Sequence, residues 1–183
     1  MKKFYALTLV SALMFAGVAA HAQKDPMVGG AAMYPTKNIV ENAVNSKDHT
    51  TLVAAVKAAG LVDTLEGPGP FTVFAPTNEA FDKLPAGTVD NLVKPENKAT
   101  LTKILTYHVV AGRITTGDLH RMIKAGGGKA ELTTVEGGKL TVTMSHGKYI
   151  LTDEKGGTAT ITIPNVYQSN GVIQVIDSVL LPG

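Results

Sequence analysis

Histidine offers the widest range of chemistry among the side chains of this sequence, since it can bind a metal, transfer a proton or titrate near neutral pH. The chain beyond residue 22 contains four histidines: His49, His108, His120 and His146. No two of them are spaced i,i+4, and none stands with a carboxylate at a spacing typical of metal ligands. We therefore predict no metal site.

His108 lies among apolar residues, where a helical pattern passes into a short extended one. We interpret it as a core histidine satisfied by hydrogen bonds, in preference to a ligand-binding or switching role. Our hypothesis for its partner is Thr77 or Asn78. Two interpretations of Tyr107 and His108 are open: they form a recognition surface, or they pack in the core. We favour packing, because alternation along a strand would bury at least one of the two.

The sequence offers little for nucleophilic or acid–base catalysis. It has no cysteine and no Gly-x-Ser-x-Gly motif, and the neighbours Ser145 and His146 fall at a predicted hairpin tip, a poor place to preorganise a catalytic group. We expect Asp153 and Glu154 to solvate a glycine-flanked turn, and Asp177 to make a structural hydrogen bond after a buried strand. The prediction is a protein that is not an enzyme and needs no cofactor.

The first 22 residues have the pattern of an export signal. Lys2 and Lys3 precede an apolar run from residue 4 to 18, and Ala20-His21-Ala22 provides small residues around a cleavage site. We predict cleavage after Ala22 and a secreted or periplasmic mature protein. The apolar run is short for a membrane span, so we expect no stable membrane insertion after cleavage.

Charge and cysteine content narrow the function classes further. The chain has 17 Lys and Arg against 15 Asp and Glu, and removal of Lys2 and Lys3 leaves 15 of each sign. A neutral chain without a basic run has no electrostatic footprint for a nucleic acid. Because there is no cysteine, a hydrophobic core and not a disulfide framework must stabilise the mature protein.

Residues 23–35 are rich in glycine, alanine and proline, and we predict that they form a flexible arm before the domain. Apolar spacing then predicts short helices at about residues 39–44, 52–59, 61–65 and 101–108. We expect Asp48 to cap the second helix, Gly60 to end it, and a further helix to begin at Asp118.

The stretch from Phe71 to Phe81 predicts a buried strand that turns into a helix. Pro76 favours the turn, and the Thr77 hydroxyl is placed to accept a hydrogen bond from the backbone N–H of Ala80. Later strands are predicted at residues 132–135, 140–144, 149–152, 159–163 and 172–176, separated by glycine-containing turns. They form an antiparallel meander that the early strand joins, so the prediction is an α+β fold in one domain over residues 36–182.

Three segments, in this order and spacing, resemble the signatures of the fasciclin domain: residues 71–81, Tyr107-His108-Val-Val110, and residues 170–182. The resemblance extends from about Thr36 to Pro182. It implies a compact domain of strands packed with helices, used by secreted and surface proteins for adhesion, and small single-domain bacterial members are the most similar. In animal members the tyrosine–histidine segment has been implicated in integrin recognition.

The residues predicted to have an interaction or a structural role are Tyr107, His108, Thr77, Asn78 and Asp177. The chain has no Arg-Gly-Asp, so integrin binding itself is not carried over. Many fasciclin-like sequences also have histidine where this chain has Gln174, which can form hydrogen bonds but cannot titrate.

The leading functional hypothesis is a secreted module without a cofactor that binds a protein or polysaccharide at a cell surface or in a matrix. The alternative is a periplasmic binding protein or enzyme with a pocket between the helices and the sheet, because pocket residues are scattered along a chain and escape a motif search. A third hypothesis is an envelope protein without a specific partner.

Overall fold

The computed structural model describes residues 25–183, and the predicted export signal over residues 1–22 lies outside them. Helices dominate the first half of the described chain. They are α1 (Ile39–Ala43), α2 (Thr50–Ala59), α3 (Val62–Glu66), α4 (Asn78–Asp82), α5 (Thr88–Leu92), α6 (Lys98–Tyr107) and α7 (Thr116–Ala125). Two 3-10 turns, Lys47–His49 and Pro95–Asn97, lead into α2 and α6.

A small hairpin of β1 (Met27–Val28) and β2 (Ala31–Ala32) precedes the helices, and seven further strands form one sheet. Those strands are β3 (Phe71–Pro76), β4 (Val109–Ala111), β5 (Lys129–Thr133), β6 (Lys139–Ser145), β7 (Lys148–Thr152), β8 (Thr158–Gln168) and β9 (Gly171–Ile176). Their order is β4-β3-β9-β8-β7-β6-β5, and every neighbouring pair is antiparallel except β3 with β9. The α+β prediction is confirmed.

The sheet curls until its two outer strands approach each other. Val110 of β4 pairs with Thr134, just beyond the end of β5. The backbone N–H of Val135 donates to the Val109 carbonyl at 2.7 Å. Curling gives the sheet a concave side and a convex side, and each side covers a separate core.

The helix-side core lies between the convex side of the sheet and α1, α2, α3 and α6, and the sheet-side core fills the concave side. Alternation along β3 serves both cores, since Val73 and Ala75 point to the helix-side core and Phe74 to the sheet-side core. Every residue of β9 is buried, as the apolar pattern of residues 172–176 predicted for a central strand.

Local capping signals set several helix ends. Gly60 ends α2 with a φ of 72°, and the Thr77 hydroxyl accepts from Ala80 N–H as predicted. The prediction that Asp48 caps α2 is wrong, because Asp48 is inside the 3-10 turn and α2 has no side-chain cap. The predicted start of a helix at Asp118 is also wrong, because Thr115 caps α7 and Asp118 returns a hydrogen bond to the Thr115 backbone N–H.

The prediction of a flexible arm over residues 23–35 is wrong for its described part. Val28 and Met33, which are 3% and 2% exposed, belong to the helix-side core. The reason is local: Gly29 and Gly30 take φ values of 57° and 75°, which close the hairpin turn between β1 and β2. Gly29 also lies against Ser46 with no room for a Cβ atom.

Candidate functional site

His108 is a buried C-cap that joins α6 to the last segment of the chain. Its Nδ1 lies 2.8 Å from the Ile104 carbonyl oxygen, and its Nε2 accepts from the backbone N–H of Leu180 at 3.0 Å. These partners assign the proton of the neutral ring to Nδ1. Burial lowers the pKa of His108 to about 4, so the imidazole is neutral near pH 7.

The predicted pairing of His108 with Thr77 or Asn78 is wrong. Asn78 instead accepts from the backbone N–H of Thr51 at 3.0 Å and donates to the Lys47 carbonyl at 2.8 Å, which fixes α4 against the start of α2. Thr77 is occupied as the cap of α4. The actual partner of His108 is a backbone N–H far away in sequence, and such a donor carries no side-chain signature.

Tyr107 is completely buried in the sheet-side core. Its hydroxyl donates to the Lys139 carbonyl at 2.6 Å and accepts from the Glu154 backbone N–H at 3.2 Å. Burial raises the pKa of Tyr107 to about 12. With both Tyr107 and His108 buried, the geometry agrees with their interpretation as packing residues.

Asp153 and Glu154 hold the end of the chain. Asp153 is 7% exposed and accepts from the backbone N–H groups of Gly157 at 2.7 Å and Leu181 at 2.9 Å. Glu154 accepts from the backbone N–H groups of Lys139 and Gly183, each at 3.0 Å, and these two donors lower the pKa of its carboxyl. The expectation that these two acids only solvate a turn is therefore wrong, because their carboxylates replace water as acceptors for backbone donors.

Asp177 makes the kind of structural hydrogen bond that the sequence led us to expect. Its carboxylate accepts from the Thr160 backbone N–H at 2.8 Å, and its own N–H donates to the Thr160 carbonyl at 3.2 Å. The Lys83 ammonium donates to the Asp177 carbonyl at 2.6 Å. Asp177 thus ties the end of β9 to β8 and to the residue that follows α4.

A buried amide network joins β8 and β9, and no sequence pattern predicted it. The side chain of Gln174, which has no exposed surface, accepts from Asn165 N–H at 2.9 Å and donates to the Ile114 carbonyl at 3.1 Å. The Asn165 side chain donates to the Thr116 hydroxyl at 2.7 Å, at the start of α7. Proline and asparagine at 164 and 165, inside a strand pattern, were the available signal of an irregularity.

Asn165 has a φ of 55° and sits within register shifts between β8 and β9. Beyond this bulge, Tyr167 is 39% exposed and lines an open groove together with Arg113 and Asn165. Asp25 and Pro35 form another part of the groove wall. One guanidinium nitrogen of Arg113 donates to the Gln168 carbonyl at 3.3 Å, which positions Arg113 beside the tyrosine.

A second concave feature is an apolar cavity of about 80 Å³ within the helix-side core. Its wall is mostly aliphatic and includes both His49 and His108. Among residues 25–183, no three His, Asp or Glu side chains are close enough to hold a metal ion. No helix in that same range has the length and apolar character needed to cross a membrane.

The chain belongs to the fasciclin domain family, because the family model matches residues 47–182. Protein sll1483 of Synechocystis sp. is 48% identical over 160 residues, which cover 87% of this chain and 82% of that protein. The immunogenic protein MPB70 of Mycobacterium bovis is 40% identical over 76% of this chain and 66% of its own length. The cell surface glycolipoprotein MPB83 of the same species is 34% identical over 91% of this chain and 64% of its own length.

Comparison with solved structures gives the same fold. A FAS1 domain pair from the insect cell adhesion molecule fasciclin I matches with a TM-score of 0.70 at 21% identity. The match covers 79% of this chain and 51% of that structure, so the chain spans about half the length of the domain pair.

Proposed function

We propose that this protein is an exported, non-enzymatic interaction module that binds a polysaccharide or protein at a cell surface or in a matrix. Membership of the fasciclin family supports this class of function, as do relatives named for a cell surface or for cell adhesion. The pattern of residues 1–22 supports export.

The observation that carries the proposal is the groove beside Tyr167. A tyrosine that is 39% exposed can place its ring against the apolar face of a sugar or against a partner side chain. Arg113 adds a guanidinium with five N–H donors, so it can hold the Gln168 carbonyl and still donate to a partner. Tyrosine and arginine are also the residues most often found to dominate binding energy at interfaces.

The groove is preorganised by the network beneath it. Gln174 and Thr116 hold Asn165 in its left-handed conformation, and the resulting bulge sets the direction in which the end of β8 runs. A binding side chain on a strand with a fixed backbone loses less conformational entropy than one on a mobile loop. This is why we place the binding surface at the end of β8 and not at the buried pair Tyr107 and His108.

The test compares binding of the mature protein, Tyr167→Ala and Arg113→Ala to cells of its source, to isolated surface polysaccharide and to bare plastic. Met144→Ala is the matched control, because Met144 is 44% exposed and lies outside the groove. We expect each groove variant to bind cells or polysaccharide about tenfold more weakly, while the control binds normally. Equal binding of wild type and both groove variants to all three surfaces would refute the proposal.

A further inference from the structure

The cavity in the helix-side core lies between the helices and the sheet, where the sequence left open a pocket. Its wall draws on the hairpin, α1, α2, α3, β3, β9 and the end of α6, so the cavity follows the interface between the helices and the sheet. Lys57, Thr64 and Val135 are the exposed residues of its wall. Lys57 and Thr64 belong to α2 and α3, so the cavity reaches the surface between these helices.

His49 supplies an unpaired polar atom in this wall. The residue is 3% exposed, and its Nδ1 lies 2.9 Å from the Ser46 hydroxyl oxygen. Its Nε2 has no hydrogen-bond partner within the described chain. A buried polar atom without a partner is uncommon in a native protein and calls for an explanation such as a ligand or an ordered water.

The other histidine of the wall has no such unpaired atom. His108 also lines the cavity, yet both of its ring nitrogens are paired with backbone groups. Burial lowers the pKa of His49, and the Ala75 carbonyl opposes this shift without being placed for a hydrogen bond of ordinary geometry. The imidazole of His49 is therefore neutral near pH 7, with one nitrogen held by Ser46.

We propose that the cavity binds a slim, neutral aliphatic molecule that ends in a hydroxyl group, with the hydroxyl at His49 Nε2 and the chain along the apolar wall. A hydroxyl fits because it can donate or accept. It therefore pairs with Nε2 whether the Ser46 hydroxyl donates to Nδ1 or accepts from it. A charged head group does not fit, because a buried charge needs an opposite charge and the one charged residue in the wall is exposed Lys57.

The size of the cavity limits the ligand. It has about half the volume of an engineered cavity of about 150 Å³ that binds benzene, so roughly three non-hydrogen atoms, the hydroxyl and the first two carbons of an alcohol, fit without rearrangement. Longer chains must extend toward the opening between α2 and α3. Affinity is therefore expected to rise along the 1-alkanol series and then level off.

The experiment titrates the mature protein with 1-alkanols from propanol to octanol and with n-alkanes of equal chain length. Imidazole nitrogen signals report the site by NMR, and ligand-induced stabilisation gives the affinity. We expect the His49 nitrogen signals to move with alkanols while the His108 nitrogens stay in place. Each alkanol should bind about fivefold more tightly than the matching alkane, the effect of one ordinary hydrogen bond.

Two variants test the role of His49. His49→Phe keeps a ring but removes Nε2, so it should lose the preference for alkanols while still binding alkanes. His120→Phe, at an exposed position of α7, should behave as wild type. The proposal would be overturned if wild type bound alkanols and alkanes equally, or if a water at Nε2 were displaced by no alkanol. Both measurements use the wild-type protein, so neither depends on whether a variant folds. The cavity and the groove share the wall residue Met33, but His49 lines only the cavity, and Tyr167 and Arg113 line only the groove. Failure of the alkanol proposal therefore leaves the proposed interaction function standing.

Discussion

At the scale of single residues, His108 connects parts of the chain that lie far apart in sequence. It ends α6, receives the backbone N–H of Leu180 and lies at the boundary of both cores. Its two hydrogen bonds require one protonated and one bare ring nitrogen, which only the neutral imidazole provides. Protonation of His108 must therefore break the bond to Leu180.

The pH dependence of stability should reflect His108. Its pKa is about 4 when folded and about 6.5 when unfolded, so between these values the unfolded chain binds more protons. The free energy of unfolding should be highest above pH 6.5 and fall by roughly 3 kcal/mol as the pH approaches 4. His49 contributes in the same direction, since its folded pKa is also lowered.

Urea denaturation of wild type and His108→Gln between pH 4 and 8 measures this effect. The variant should be less stable at pH 7 but should show a flatter dependence on pH, because the group that titrates is gone. His120→Gln, at an exposed position, serves as the control and should keep the wild-type slope. The same slope in His108→Gln as in wild type would contradict the assignment.

Asp153 is predicted to matter more for stability than its position in a glycine-rich turn suggests. Asp153→Asn places an amide that has a donor group beside the N–H groups of Lys155, Gly157 and Leu181. We expect a loss of about 1–3 kcal/mol in the free energy of unfolding. Glu131→Gln, which removes an exposed ion pair with Lys139, should cost less than about 1 kcal/mol, and an equal loss in both variants would argue against our view of Asp153.

At the scale of elements, the bulge in β8 depends on one amide. Gln174→Leu leaves the Asn165 N–H and the Ile114 carbonyl without a partner in a buried place, so we expect a loss of about 1–3 kcal/mol. The comparison is Thr158→Val at the exposed start of β8, which should change stability by less than about 0.5 kcal/mol. Chemical denaturation of the two variants measures the difference, and an unaffected Gln174→Leu would show that the network is dispensable.

Elements were predictable where one local signal decides them. The Thr77 cap, the Gly60 stop and the doubly buried β9 each depend on residues within one turn or one strand. Predictions failed where two signals compete or where the partner is remote. Asp48 and Asp118 both have side chains suited to a helix N-cap. Asp48, however, lies inside a 3-10 turn, and Thr115 is the N-cap of α7, so that Asp118 lies within the first turn of that helix.

The candidate sites were less predictable than the fold, for a physical reason. A groove or a cavity is formed by residues from separate elements. His49 and His108 are both buried, and what makes His49 a candidate is that its Nε2 lacks a partner while both ring nitrogens of His108 are paired. No spacing within the sequence distinguishes the two histidines. Tyr167 likewise became a candidate only when the bulge at Asn165 placed it in the groove beside Arg113.

At the scale of the whole molecule, the N-terminal hairpin is part of the fold. Met33→Ala removes a buried side chain from the helix-side core and should lower the free energy of unfolding by about 2–4 kcal/mol. Met27→Ala is the matched control, because Met27 is 55% exposed on the same hairpin and should cost less than about 0.5 kcal/mol. Thermal or urea unfolding separates the two, and equal stability would mean that the hairpin adds nothing to the core.

The near closure of the sheet restricts the ways in which another chain can attach to it. The outer strand β4 is partly covered, because backbone groups of Val109 and Val110 pair with residues 134 and 135. The other outer strand, β5, has the charged residues Lys129 and Glu131 at exposed positions. Both features disfavour the addition of a foreign strand by backbone pairing. For the same reason, two copies of this domain have little tendency to join edge to edge through this sheet into fibrils.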